Sequence, residues 1–190
     1  MAERIGILGG TFDPVHNAHL AIAGRALEHA GVSSILWMPT GNPGYREPPV
    51  ASAEDRVAML KLALAGEMRG DPRHRIDERE LRPGASGFTF DSISSLQSEN
   101  PRSRFVLIMG ADQYERRATW HRWPELEKLA GIAVVERPGA ATAAGVKVIP
   151  MAPSALSASD IRARIGRGED VAGMVPAAVL NYIRQKGLYL

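Results

Sequence analysis

The sequence predicts an α/β fold, a doubly wound parallel sheet with helices on both faces and a small C-terminal helical extension. Three observations lead to this prediction. Apolar runs of strand length alternate with segments whose apolar residues recur at helical spacing. The runs are apolar throughout, as in strands that are buried on both faces. No linker-like segment interrupts the 190 residues, so we expect a single domain over residues 1–190.

Glycine, proline and serine residues mark the element ends in the first half of the chain. Gly9-Gly10 follow a short apolar run, Gly31 follows a helical segment, and Ser52 is a good N-cap. In chain order, these patterns predict a strand at 5–8, a helix from about 20 to 30, a strand at 34–38, an exposed loop at 40–50, a helix at 52–65 and a polar strand at 75–80.

The second half contains the clearest buried strand, FVLIM at 105–109, which Gly110 follows directly. Pro176 suits the first position of a helix, and Gly187 suits a C-terminal cap. In chain order, we expect a helix at 90–96, the strand at 105–109, a helix at 123–130, strands at 132–135 and 146–151, and closing helices at 157–165 and 176–186.

Charge and composition exclude several classes of function. The 23 basic and 21 acidic residues leave a net charge of +2, too small an excess to indicate a nucleic-acid partner. No stretch approaches the roughly 18 apolar residues of a membrane span, and the N-terminus has too short an apolar run for a signal peptide. The absence of cysteine excludes disulfides and thiolate chemistry and fits a reducing cytosol. We therefore expect a cytoplasmic protein whose partners include neither membranes nor nucleic acids.

The first candidate site is the segment GGTFDPVHNAH, from Gly9 to His19. It joins a strand to a helix, and parallel α/β sheets bind ligands at the carboxyl ends of their strands. Two glycines allow an anion to approach the backbone, and the helix N-terminus supplies free N–H groups. The three-residue spacing of His16 and His19 places both imidazoles on one face of the first helical turn, where they could bind phosphate oxygens. Taken alone, the segment also fits a plain turn with two surface histidines, whereas a zinc site lacks a third ligand.

The second candidate site is the segment LSASDIR at 156–162. Ser157 is a good N-cap, and Asp160 three residues later gives a weak capping box, so the segment also fits an ordinary helix start. The same geometry, with Arg162 one turn into the helix, can bind an anion. Two anion sites suit a substrate that carries several phosphates.

Both segments resemble motifs of the nucleotidyltransferase superfamily, a glycine-rich turn followed by H-x-G-H and, later, I-S-[ST]-T-x-I-R. Here Ala18 stands in place of the motif glycine, and Ser159 in place of the threonine. Further strings resemble the bacterial nicotinate-nucleotide adenylyltransferases, in order and at the right spacing, over essentially the whole chain. They are DEREL at 77–81, GFTFDS at 87–92, GAD at 110–112, WHRW at 120–123, RPG at 137–139 and YIRQKGLY at 182–189.

The resemblance implies a Rossmann-like sheet and a reaction in NAD biosynthesis. Family members join nicotinate mononucleotide to the adenylyl group of ATP and release deamido-NAD and pyrophosphate. The phosphate of the mononucleotide attacks the α-phosphorus in line, so catalysis needs positioning and electrostatics but no protein nucleophile. Mg²⁺ is expected as Mg-ATP, carried by the substrate phosphates, with no metal ligands from the protein. We expect a monomer or a homodimer.

The family's motifs, matched position by position, imply three groups of site residues. The catalytic residues are His16, His19 and Arg162. The residues that bind ATP and its phosphates are Gly9, Gly10, Thr11, Phe12, Arg46, Arg137, Ser157 and Ser159. The residues that bind nicotinate mononucleotide are Phe88, Thr89, Gly110, Asp112, Trp120 and His121.

The mononucleotide residues carry the predicted choice of acceptor. The resemblance implies that the pyridine ring stacks on Trp120 and that the backbone near Thr89 and His121 meets the carboxylate. Asp112 is expected to bind a ribose hydroxyl or, alternatively, to cap the helix after its strand. Neutral N–H donors favour a carboxylate over an amide. Trp123 is expected to be a packing residue.

Two more positions depart from the family pattern. Phe88, in the segment that meets the mononucleotide, stands where Tyr is usual, and Tyr45, in the loop that holds Arg46, stands where many relatives have His. Other readings of the sequence remain open. The acceptor could be nicotinamide mononucleotide or phosphopantetheine, although the segments around Trp120 and Thr89 argue against the latter. A nucleotide-sensing module would keep the fold without the catalysis, and a pure scaffold would need neither anion site.

Overall fold

The structure is a computed structural model that describes residues 2–41, 47–136, 146–152 and 154–190. Its strands are β1 (Arg4–Gly10), β2 (Ser34–Pro39), β3 (His74–Ile76), β4 (Arg104–Gly110), β5 (Gly131–Val135) and β6 (Lys147–Ile149). They form a sheet in the order β3-β2-β1-β4-β5-β6, in which every neighbouring pair is parallel. The chain fills one half of the sheet from β1 outward and then the other half from β4 outward. The predicted doubly wound parallel sheet is therefore confirmed.

Helices cover both faces of this sheet. They are α1 (Asn17–His29), α2 (Ala53–Gly66), α3 (Thr89–Glu99), α4 (Ala111–Glu115), α5 (Trp123–Leu129), α6 (Ala158–Gly166) and α7 (Ala177–Lys186). Helices α1, α2, α6 and α7 pack on the α1 face, and α3, α4 and α5 pack on the opposite α3 face. Within the described segments, no helix is both long and apolar enough to span a membrane.

The central strands contribute side chains to a core on each face. Along β1, Ile5 and Ile7 belong to the core of the α3 face, and Leu8 belongs to the core of the α1 face. Successive side chains of a strand point to opposite faces, so a strand buried on both sides needs an apolar run without alternation. Packing from both sides makes the carboxyl ends of β1 and β4 a rigid platform for a site.

Local hydrogen bonds decide where several elements begin and end. Ser52 caps α2 as predicted, because its Oγ accepts from the backbone N–H three residues later at 3.0 Å. The strand predicted at 75–80 is wrong beyond residue 76. There Asp77 accepts from the backbone N–H of Arg79 at 2.9 Å, which turns the chain into a short 3-10 helix. The sequence does not predict α4, because its five residues are too few to show a helical period.

Candidate active site

The carboxyl ends of β1 and β4 meet where the strand order reverses, a point at which parallel α/β sheets leave a crevice for ligands. Both strands end in glycine: Gly9 and Gly10 end β1, and Gly110 ends β4. A Cβ atom added to Gly9 or Gly110 would meet no other described atom within 4 Å. The backbone of the predicted glycine turn therefore borders open space. Candidate site residues approach this crevice from both faces of the sheet.

His16 and His19 stack on each other at the start of α1. Their ring centroids are 3.8 Å apart, and the ring planes differ by 23°. His16 occupies the N-cap in an extended conformation rather than a position on the first helical turn. The two rings still meet, because the backbone N–H of His16 donates to Nδ1 of His19 at 3.3 Å. The structure thus brings together the two histidines that the sequence singles out.

Both imidazoles are neutral at pH 7. Burial lowers the pKa of His16 to about 4, and burial together with the adjacent His16 lowers the pKa of His19 well below its usual value. Because Nδ1 of His19 accepts a hydrogen bond, the neutral ring carries its proton on Nε2. Nδ1 of His16 is buried and has no partner among the described residues. An anion at this point meets imidazole N–H donors rather than full positive charges.

Phe12 supports the histidine pair. Its ring packs edge-on to His19, with 5.0 Å between centroids, and against Trp37 at 5.6 Å. The side chain is 1% exposed, and a φ of +51° is uncommon for a bulky residue. The Phe12 side chain is therefore a core residue that holds His19, which leaves only the Phe12 backbone for the predicted contact with ATP.

Arg162 reaches, from α6, the segment that joins the glycine turn to the histidine pair. Its Nη1 donates to the backbone carbonyl of Asp13 at 2.7 Å and lies 3.8 Å from Oδ2 of the same residue. The Arg162 side chain is 29% exposed, whereas Asp13 is buried. The other guanidinium N–H groups have no described partner, and such groups bind phosphate oxygens well. Together, Asp13, His16, His19 and Arg162 form the histidine–arginine corner.

Arg56, which the sequence analysis does not single out, lies buried beside the glycine turn. Its Nη1 donates to the carbonyl groups of Thr11 and Thr40, each at 2.8 Å. The backbone N–H of Thr40 donates in turn to the carbonyl of Gly10 at 2.9 Å. Arg56 therefore fastens the turn after β1 to the segment after β2, and its role is structural. From the sequence alone it resembles any arginine on an exposed helix face.

The second predicted anion segment begins α6. Ser157 is the N-cap as expected, because its Oγ accepts from the Asp160 N–H at 3.2 Å, and the same Oγ lies 3.2 Å from Oγ of Ser159. The other two N–H groups of the first turn, those of Ala158 and Ser159, have no acceptor among the described residues, as is usual at a helix start. Because Arg162 lies one turn further along and contacts Asp13, the two predicted anion segments are neighbours.

A cavity of about 730 Å³ opens on the other side of the glycine turn, against the α3 face. Gly9 and Gly10 line it, and so do most of the residues predicted to bind the mononucleotide: Phe88, Thr89, Asp112, Trp120 and His121. Gly110 is the one member of that group that does not line the cavity. We refer to this space as the acceptor cavity.

Aromatic rings and one helix start shape the acceptor cavity. Phe88 and His121 stack with their centroids 4.3 Å apart, and Trp120 packs edge-on to the buried Trp123 at 6.1 Å. Trp123 belongs to the core, as expected of a packing residue. Thr89 is the first residue of α3, and its backbone N–H has no acceptor among the described residues. The cavity thus offers flat apolar surfaces and a free N–H donor.

Arg116 also lines the acceptor cavity, and the sequence analysis does not name it. It is the one Lys or Arg among the described lining residues, and its guanidinium has no partner in the described part of the chain. The adjacent Arg117 is different, because it donates to the carbonyl of Tyr114 at 3.0 Å and lies over that ring at 4.3 Å. The one feature of the sequence that could have indicated Arg116 is the Arg116-Arg117 pair between the GAD and WHRW strings.

Three positions named from the sequence lie outside the described residues. They are Arg46 and Arg137, both predicted to bind ATP phosphates, and Tyr45.

Comparison with known proteins agrees with the fold and with the motifs. The chain matches the cytidylyltransferase-like family over residues 7–164. It is 38% identical to a probable nicotinate-nucleotide adenylyltransferase of Bordetella petrii, over 98% of this chain and 99% of that protein. It is 39% identical to a protein of the same description from Geobacillus kaustophilus, over 98% of this chain and 86% of that one.

Solved structures share the fold at low sequence identity. The structure of Plasmodium falciparum nicotinic acid mononucleotide adenylyltransferase complexed with NaAD aligns with a TM-score of 0.85 at 16% identity, over 98% of this chain and 97% of that one. The same P. falciparum protein complexed with APC aligns with a TM-score of 0.75 at 17% identity. The predicted resemblance is confirmed: the chain belongs to the nicotinate-nucleotide adenylyltransferases, a family of nucleotidyltransferase enzymes with a cytidylyltransferase-like domain.

Proposed function

We propose that this protein transfers the adenylyl group of ATP to nicotinate mononucleotide, with deamido-NAD and pyrophosphate as the products. One observation carries the proposal: the histidine–arginine corner and the acceptor cavity both border the glycine turn at the end of β1. A two-substrate transfer needs a polyphosphate site and an acceptor site that share an edge. The family relationship supports the same reaction, and NaAD in the P. falciparum neighbour supports nucleotide ligands for this fold.

In the proposed reaction, an oxygen of the mononucleotide phosphate attacks the α-phosphorus of Mg-ATP in line. The new P–O bond forms as the bond to the β-phosphate oxygen breaks, and Mg-pyrophosphate leaves with the electron pair. No covalent intermediate with the protein is involved. The protein's contribution is to hold the two phosphates in line and to offset the charge that develops on the transferred group.

The corner residues have distinct tasks in this reaction. Nε2–H of His19 donates to a phosphate oxygen, because Nδ1 is already engaged by the His16 N–H. The free N–H groups of Arg162 bind the triphosphate, and the hydroxyls and N–H groups at the start of α6 add further donors. Neutral imidazole donors and a fixed guanidinium stabilise added negative charge without reorganisation.

The acceptor cavity selects the mononucleotide in this proposal. The pyridine ring stacks against Trp120, and the Thr89 N–H at the start of α3 donates to the nicotinate carboxylate. Arg116 adds a positive charge that a carboxylate uses and a neutral amide does not. Asp112 is assigned to a ribose hydroxyl. These features favour nicotinate mononucleotide over the nicotinamide form.

The proposal is tested by measuring pyrophosphate release with ATP and each mononucleotide in turn, with the dinucleotide product identified by mass. We expect turnover with nicotinate mononucleotide and a lower kcat/KM with nicotinamide mononucleotide. Absence of turnover with both acceptors would contradict the enzyme assignment. Equal kcat/KM values would leave adenylyl transfer intact but contradict the preference for the carboxylate.

A further inference from the structure

Asp13 is the point at which four segments of the chain converge. Its Oδ2 accepts from the Val50 N–H at 2.8 Å, and its Oδ1 accepts from the Ala51 N–H at 3.1 Å and from the Tyr189 hydroxyl at 2.7 Å. Its backbone carbonyl accepts from Nη1 of Arg162. The buried Asp13 therefore connects the glycine turn, the segment before α2, α6 and the segment after α7.

Tyr189 is held in place to make this contact. Gly187 ends α7 in the left-handed conformation, with φ +61°, and the Leu188 N–H donates back to the carbonyl of Ile183 at 3.0 Å. Tyr189 itself has φ +67°, a conformation that bulky residues rarely adopt. Burial and the bond to Asp13 raise the pKa of Tyr189 far above its usual value, so the hydroxyl remains a donor at every physiological pH.

The donors around Asp13 limit how strongly its carboxylate attracts Arg162. Two N–H groups and the Tyr189 hydroxyl occupy the carboxylate oxygens, while Arg162 makes its short bond to the Asp13 carbonyl and stays 3.8 Å from Oδ2. If the hydroxyl were lost, Oδ1 would be short of one donor in a buried place. The Arg162 guanidinium, 3.8 Å from Oδ2 of the same carboxylate, is a positively charged donor that could supply the missing bond.

We propose that Tyr189 is a positioning residue for adenylyl transfer: by satisfying the Asp13 carboxylate, it keeps the Arg162 guanidinium turned to the triphosphate. This role rests on the proposed function. Tyr189 does not line the acceptor cavity, so we expect the cavity to be unchanged when its hydroxyl is removed. Loss of the Tyr189 hydroxyl is expected to weaken the binding of ATP, because it displaces the Arg162 side chain that binds the triphosphate.

Tyr182 provides a matched control. It lies on α7, and its hydroxyl donates to Oδ1 of Asp55 at 2.8 Å, at the start of α2 and away from the corner. Tyr189→Phe and Tyr182→Phe each remove one hydroxyl from a bond to an aspartate in the C-terminal part of the fold. We expect Tyr189→Phe to raise KM for ATP about fivefold to tenfold, the worth of one ordinary hydrogen bond, with an unchanged KM for the mononucleotide. Tyr182→Phe is expected to change both KM values by less than about twofold.

Arg162→Lys tests whether the effect of Tyr189 passes through Arg162. The KM of ATP is compared in the two single variants and the double variant, since residues that act together show non-additive effects. We expect Tyr189→Phe to add little to Arg162→Lys. Additive effects, or equal changes in the Tyr189 and Tyr182 variants, would overturn the positioning role.

Calorimetric titration of ATP keeps this test separate from the proposed function. If the wild-type protein fails to release pyrophosphate, the proposed reaction is contradicted, but the Kd for ATP in each variant still decides the role of Tyr189. A Kd raised in Tyr189→Phe and unchanged in Tyr182→Phe supports it, whereas equal Kd values contradict it. Normal turnover and normal KM values in Tyr189→Phe contradict the positioning role alone.

Discussion

The histidine–arginine corner and the acceptor cavity border the same glycine turn but are built in opposite ways. In the corner, His16 and Asp13 are buried, the His16 N–H is bonded to His19, and the Asp13 carbonyl is bonded to Arg162. In the cavity, His121 and Asp112 are exposed, and the rings of Phe88, Trp120 and His121 form part of the lining. The difference indicates that hydrogen-bond donors are held in fixed positions before the substrate binds at the place where charge develops on phosphate. In the cavity, which binds a flat ring, the exposed side chains are less tightly constrained.

The largest effect is expected from His19→Ala, which removes from the corner the imidazole donor assigned to a phosphate oxygen. We expect kcat/KM to fall by the equivalent of about two to four kcal/mol of transition-state stabilisation. His29→Ala is the control, since His29 is an exposed histidine at the other end of α1. A change of less than threefold in His19→Ala would show that His19 is not catalytic.

The burial of His16 predicts a stability that depends on pH. Burial lowers its pKa from the ordinary 6.5 to about 4 in the folded protein, so between these pH values protons bind preferentially to the unfolded chain. The stabilisation is complete above pH 6.5 and is lost as the pH falls toward 4, by up to about 3 kcal/mol. Urea unfolding at pH 7 and pH 4.5 measures this loss, which we expect to shrink in His16→Gln.

His121→Gln sharpens the comparison between the two regions. His121 is an exposed histidine of the acceptor cavity, so its removal takes no buried imidazole away from the folded protein. We expect the variant to lose as much stability on acidification as the wild type. An equal change in His16→Gln and His121→Gln would mean that burial in the corner is not the cause.

Gly9→Ala tests the edge that the two regions share. Because a Cβ there meets open space, we expect normal thermal stability. The KM values of both substrates should rise about tenfold, since the methyl group enters the crevice that they share. Gly24→Ala is the matched control in the interior of α1, where a Cβ also meets nothing. There, alanine is expected to stabilise the helix by roughly 0.5–1 kcal/mol and to leave both KM values unchanged. Full activity of Gly9→Ala would contradict substrate binding at this edge.

The smallest effect is expected from Arg116→Gln in the acceptor cavity. An exposed ion pair contributes up to about 1 kcal/mol, so the preference for nicotinate over nicotinamide mononucleotide should fall about threefold to fivefold. Arg116→Lys should retain the preference. Arg102→Gln, an exposed arginine just before the opposite end of β4, should not alter it. If Arg116→Gln keeps the full preference for nicotinate mononucleotide, the arginine does not contribute to it, and the backbone N–H donors alone distinguish the carboxylate from the amide.

The sequence predicts those parts of the molecule that depend on local pattern. The central strands follow from apolar runs, and Ser52 and Ser157 follow from capping rules. The sequence could not predict that Arg56 is buried. Nothing in its own helix shows that it bonds to carbonyl groups of the segments that follow β1 and β2. The partner of Tyr189 was equally hidden, because residues far apart in the chain carry no common local pattern.

The contacts of Asp13 bear on the order in which the protein folds. Its partners Arg162 and Tyr189 are 149 and 176 residues away, whereas β1 and β2 pair across a much shorter separation. Contacts between such distant residues close very large loops, and loop closure opposes their early formation. The sheet can therefore be ordered while the corner is still open. Hydrogen exchange should find the Val50 and Ala51 amides, which donate to Asp13, less protected than the amides of β1.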